Sequence, residues 1–186
     1  MLNREACERR VYRLATLLTG DPISATDVIT AVVGAQPDLR KLDSAHLDRL
    51  TVLRSREVTP KALDHPQIPK SIAISFAALS TQQREAWVLA RVYRVPKREL
   101  SRAMDCSLTA TERHLEMADG AMKIATDGKI SAAAHVLLQY TQSLDVPAFY
   151  RAKQRRRRLV RRVCWGLGLV MLLAAIITVA VLWSAA

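Results

Sequence analysis

No charged side chain interrupts Val163 to Trp183, VCWGLGLVMLLAAIITVAVLW, a run of twenty-one residues. As a helix rising about 1.5 Å per residue it would reach roughly 30 Å, the thickness of a bilayer's hydrocarbon core, and a buried soluble helix seldom needs such length. Trp165 and Trp183 stand near its two ends, where indoles sit well among lipid headgroups. The run therefore predicts a single C-terminal transmembrane helix over 163–183. Immediately before it, RAKQRRRRLVRR carries Arg151, Lys153, Arg155, Arg156, Arg157, Arg158, Arg161 and Arg162 and no acidic residue. Basic flanks stay in the cytoplasm, so Arg155, Arg156, Arg157, Arg158, Arg161 and Arg162 are expected to orient the anchor, with the N-terminal body on the cytoplasmic side of the cytoplasmic membrane. The opening MLNREACERR is polar and lacks the apolar run of a signal peptide.

The formal net charge of +11 invites a nucleic-acid reading, but its distribution argues for membrane lipid first. Residues 151–162 hold eight of the 28 basic residues, which leaves twenty basic against 17 acidic residues elsewhere, an excess of only three. A polybasic strip beside a bilayer attracts anionic lipid by about 1 kcal/mol per residue. DNA binding has to rest on other side chains.

Ahead of the strip, the composition suggests two small helical bodies. Val58 to Ser71, VTPKALDHPQIPKS, holds three of the seven prolines and no helical period, as an extended connector does. The expected division is residues 1–57, a connector at 58–71, a second body at 72–122, a helical and polybasic juxtamembrane segment at 123–162, and the anchor. The fold class is all-α, because apolar residues recur at helical spacing and no alternating run is long enough for a sheet.

The first helix spans Arg4 to Leu18, with Val11, Leu14, Ala15, Leu17 and Leu18 as its apolar stripe. Thr19-Gly20-Asp21-Pro22 closes it and opens the next, since Gly20 suits a C-terminal cap, Asp21 an N-cap and Pro22 a first helical position. That second helix runs from Ile23 to about Ala35, before Pro37, and a third covers roughly Ser44 to Glu57. Ser80-Thr81-Gln82-Gln83 has the form of a capping box for a helix reaching about Tyr93. Pro96 begins another, ending near Met104, and Ser107 or Thr109 caps one through Asp119. With the short turn Asp105-Cys106-Ser107 between them, these two make a helix-turn-helix candidate. Leu108, Thr111, Leu115 and Ala118 are expected on the inner face of its second helix, and Ala110, Glu112, Arg113, His114, Glu116 and Met117 outside. Ile130 to Leu144 forms a last helix before the arginine run.

The order of these motifs resembles the extracytoplasmic-function sigma factors, the small two-domain promoter-recognition subunits of bacterial RNA polymerase. Tyr12-Arg13-Leu14-Ala15, Leu18-Thr19-Gly20-Asp21-Pro22 and Ala25-Thr26-Asp27-Val28-Ile29 are similar to the family's opening helix, turn and polymerase-binding helix. Ala78-Leu79-Ser80, Gln83-Arg84-Glu85-Ala86 and Val88-Leu89 resemble the entry into its promoter-reading domain, continued by Glu99-Leu100 and by Ser107-Leu108 through Leu115. The resemblance implies RNA polymerase core as partner through Asp27, Val28 and Ile29. It also implies promoter DNA at Lys97, Arg98, Arg102, Thr109, Glu112, Arg113 and His114.

The chain departs from the family where promoter opening needs flat rings to stack on unpaired bases. Between Tyr12 and Phe76 there is no Phe, Tyr or Trp, and His46 and Asp48 stand where the family usually has Trp and Tyr. Thr30 and Ala31 replace the Gln and Glu favoured on the polymerase-binding helix, and Glu112, Glu116 and Asp119 make the recognition helix acidic. The leading expectation is a membrane-tethered, sigma-like transcription regulator. The alternatives are a decayed sigma scaffold serving as a membrane-bound docking or antagonist module for a regulatory protein, and a one-component regulator using the helix-turn-helix alone. Catalysis, cofactor and metal are not expected. His46, His65, His114 and His135 stand apart, Cys7, Cys106 and Cys164 are too widely spaced for a zinc motif, and no glycine-rich phosphate loop occurs.

Overall fold

A computed structural model describes residues 4–36, 43–148 and 150–152, and all their regular structure is helical. The helices are α1 (Arg4–Thr19), α2 (Pro22–Ala35), α3 (Ser44–Ser55), α4 (Lys70–Ala78), α5 (Thr81–Trp87), α6 (Lys97–Met104), α7 (Leu108–Ala125) and α8 (Ile130–Ser143). A π-helical turn, Val88–Val92, extends α5. The chain divides into two compact units, residues 1–146 and 147–186. In the second, the described residues form one helical turn in which the amides of Tyr150 and Arg151 donate to the Pro147 carbonyl. No helix among the described residues is long and apolar enough to cross a membrane. The expected span 163–183, the arginines from 155 to 162, Cys164 and Pro37 lie outside the described residues.

Local chemistry sets the helix boundaries in the first unit. Gly20 holds φ +72, and a Cβ there would meet the Lys61 carbonyl oxygen at 2.0 Å, so the tight entry into α2 needs glycine. Asp21 then caps α2, accepting from the amides of Ile23 (3.1 Å) and Ser24 (3.4 Å). Lys61 Nζ reaches the same carboxylate at 2.8 Å, and this contact holds the Asp21 carboxyl down at about 2. The capping box at α5 forms, with Ser80 Oγ accepting from the Gln83 amide and Gln83 Oε1 accepting from the Ser80 amide.

The two segments that composition separates share one core. Leu14, Leu17 and Leu18 of α1 and Val52 of α3 belong to the same buried cluster as Phe76, Trp87, Leu89, Leu100, Met104, Met122 and Leu137. The proline-rich connector takes part in it. Leu63 and Ile68 are buried, the Lys61 amide donates to the Thr19 carbonyl at 2.7 Å, and α4 already starts at Lys70.

Part-buried ion pairs on two buried carboxylates, Asp48 and Glu85, add to this packing. Arg10 on α1 forks onto Asp48 of α3 at 2.8 and 2.7 Å and lies over the Tyr93 ring. Arg56 forks onto Glu85 at 2.8 and 2.7 Å and also donates to the Met104 carbonyl. Arg84, 2 % exposed, has no carboxylate partner among the described residues. It donates instead to the carbonyls of Leu18, Lys61, Phe76 and Ala77 and stacks over Phe76. Three of these carbonyls sit at the C-terminal ends of α1 and α4, where helix dipoles favour a cation.

Candidate nucleic-acid interface

α6 and α7 meet at a turn in which Asp105 takes the left-handed conformation, φ 54, ψ 44, and so redirects the chain. Ser107 is the residue that starts α7: its side chain accepts from the Ala110 amide at 3.2 Å. Thr109 is therefore already helical and is not the cap. Cys106 Sγ lies 3.1 Å from Thr111 Oγ1, which in turn donates to the Ser107 carbonyl, stitching the turn to the first helical residues.

From this cap the buried stripe of α7 runs through Thr111, Ala118 and Met122, with Leu115 packed against the core. Leu108, expected on the inner face, is instead 44 % exposed, because as the first helical residue it sits at the lip of the turn, ahead of the stripe's first contact. α7 also continues past Asp119 to Ala125, through Gly120.

The outer surface of α7 borders an open groove of about 610 Å³, bounded by Ser80 and Gln83 at the start of α5 and by Ser107, Thr109, Arg113, His114 and Met117. Three expected DNA-contacting residues, Thr109, Arg113 and His114, are thus brought together. Ser80 and Gln83 join them although their sequence signal was only that of a helix cap. Lys97, Arg98 and Arg102 are exposed on α6. Lys97 Nζ is paired with Glu112 at 2.8 Å, and that carboxylate raises the lysine above its ordinary value. Arg91 forms a fork with Asp119, which raises the arginine likewise. Arg98, Arg102 and Arg113 have no carboxylate partner among the described residues. Two of the acids that make α7 look repulsive to DNA are therefore already neutralised by neighbouring cations.

The expected polymerase-contacting residues separate. Val28 and Ile29 are buried in the α1–α2–α3 packing, at 2 % and 0 % exposure, so of the three only Asp27 offers its side chain to a partner. The exposed face of α2 instead runs through Ile23, Asp27 and Ala31. His46 is exposed, whereas Asp48 is buried against Arg10 and is not available to a strand of DNA. Among the described residues no group of histidine, cysteine, aspartate and glutamate side chains is arranged to hold a metal. No protein-family profile, curated protein or solved structure matches the chain.

Proposed function

We propose that the chain is a membrane-tethered transcription regulator similar to the extracytoplasmic-function sigma factors, acting by binding and not by catalysis. In this reading residues 1–57 face RNA polymerase and residues 72–122 face promoter DNA. Residues 163–183 hold the protein in the cytoplasmic membrane with its body in the cytoplasm. The observation that supports it most is the groove along α7, where Thr109, Arg113 and His114 are gathered beside a capped turn. A recognition helix enters the major groove with its N-terminal residues toward the base edges, and an arginine there can fork onto a guanine. Arg98, Arg102 and, once released from Glu112, Lys97 suit phosphates, which position the protein and supply most of its affinity.

The test uses protein lacking residues 151–186, since the arginine run would bind DNA by itself. Co-purification with core RNA polymerase is expected, together with a salt-sensitive shift of duplex DNA. Failure of both removes the sigma-like reading. A second reading, a scaffold that docks or antagonises another regulator without touching DNA, is favoured by the pairs Lys97–Glu112 and Arg91–Asp119, which occupy cations a DNA reader would keep free. Polymerase capture without any DNA shift selects it.

A further inference from the structure

A second cleft, of about 780 Å³, opens between the π-helical turn and α8, and the promoter-reading role does not use it. Ala90, Ala132 and Ala134 give its walls small side chains. Ile130, Ala134 and Leu138 recur along one face of α8 and, with Val92 opposite, line the cleft with apolar surface. Arg91, Arg94, Ser131 and His135 supply its polar lining. Arg91 is answered by Asp119, but Arg94 has no carboxylate partner among the described residues, and no side chain caps the start of α8. Arg94 also holds φ +54, a left-handed conformation that costs an L-residue about 1 kcal/mol and that glycine adopts freely. An uncompensated guanidinium thus occupies a position where the backbone would favour having no side chain.

We infer that this cleft holds the phosphate headgroup of one anionic phospholipid. Arg94 and His135 donate to the phosphate, and the first carbons beyond the glycerol lie along Ile130, Ala134 and Leu138. The volume falls within the usual range of small-ligand sites, roughly 300–1,000 Å³. A free phosphate would leave the apolar wall uncovered, whereas a lipid uses both the wall and the cation. The basic run of residues 151–162, which follows α8 in the sequence, attracts anionic lipid on the proposed membrane reading, and the inference rests on that part of it.

The full-length chain reconstituted in phosphatidylcholine vesicles doped with a photoactivatable phosphatidylglycerol tests this, with labelled peptides mapped by mass spectrometry. Label is expected within 90–94 and 130–138, and Arg94→Gly should lower its yield about fivefold, the loss of one cation near a lipid surface. Because glycine suits the backbone there, this variant should melt no lower than its parent. Ala132→Trp, at an exposed position on the cleft, should lower the yield as well. Equal displacement by inorganic phosphate or glycerol phosphate would make this a site for a free anion and overturn the lipid assignment. So would labelling that is confined to residues 151–186, or unchanged by Arg94→Gly, in a chain that still floats with the vesicles. A chain that does not float at all overturns the membrane reading together with the inference.

Discussion

Arg84 and Glu85 are neighbours, both buried, and both part of the motif that carries the family resemblance, yet their charges are satisfied in different ways. Glu85 meets a guanidinium, while Arg84 meets carbonyl oxygens and the Phe76 ring, and burial pulls its guanidinium down to about 10, still charged at neutral pH. Arg84→Met would keep much of the volume but leave the Leu18 and Lys61 carbonyls without this donor. We expect a loss of about 2–3 kcal/mol in urea unfolding. Arg84→Lys should recover less than half of it, because a single ammonium cannot span four acceptors held in a fork. A neutral Met variant would show that these bonds contribute nothing net. Asp21 supplies a pH-dependent counterpart. Its folded-state value, about 2, lies below the ordinary 3.8, chiefly through Lys61. Its contribution is therefore complete above the ordinary value and is lost as pH falls toward 2. Asp21→Ala should cost about 1 kcal/mol at neutral pH, as cap removal does. Thermal melts through that acid window should show a shallower decline in Lys61→Met than in the parent, and identical slopes would remove the lysine from the account.

At the scale of elements, α7 combines the surface proposed to face DNA with acids that pair neighbouring cations. Glu112→Lys frees Lys97 and adds a second cation, so duplex affinity should rise and the dependence of log affinity on log salt should steepen by up to about two. Arg113→Ala should weaken binding by about 1–3 kcal/mol if it reads a base, and otherwise only flatten the salt slope by about one. Gel shifts over a salt series, with protein lacking residues 151–186, distinguish these outcomes, and no response to either change would count against DNA contact. The helix boundaries were largely legible because short-range chemistry sets them: Gly20-Asp21-Pro22, the Ser80–Gln83 box, Pro96 and Ser107 all act within a few residues. What was not legible depends on distant partners. Nothing local in the sequence pairs Asp48 or Glu85 with Arg10 or Arg56, which hold them from 38 and 29 residues away. The cleft at Arg94 depends on a π-helical turn facing α8, and no local motif announces that arrangement. Val28 and Ile29 belong to the buried stripe of α2, which the family resemblance did not separate from a partner-binding face.

For the whole molecule, the shared core changes what tethering can do. Leu14, Val52, Trp87 and Leu137 belong to one cluster, so the segments proposed to face polymerase and promoter are expected to unfold together. Trp87→Ala should cost about 3–5 kcal/mol and abolish both binding activities in parallel. The expected anchor rests on hydropathy and charge alone, at residues outside those described. On the proposed reading, a promoter reader fixed to a membrane meets only the DNA that approaches that surface, and the basic strip holds it there by its attraction to anionic lipid. Deletion of residues 163–186 should move the protein to the soluble fraction, and persistent membrane association would reveal another attachment. Truncation after Tyr150, which also removes the arginine run, should then raise transcription from target promoters at matched protein level, because the restraint that separates reader from chromosome is gone. If the anchor instead receives a signal, the same truncation should abolish an inducible response. Genome-wide transcript counts from matched full-length and truncated strains decide between these outcomes, and indistinguishable profiles would mean that the anchor places the protein without regulating it.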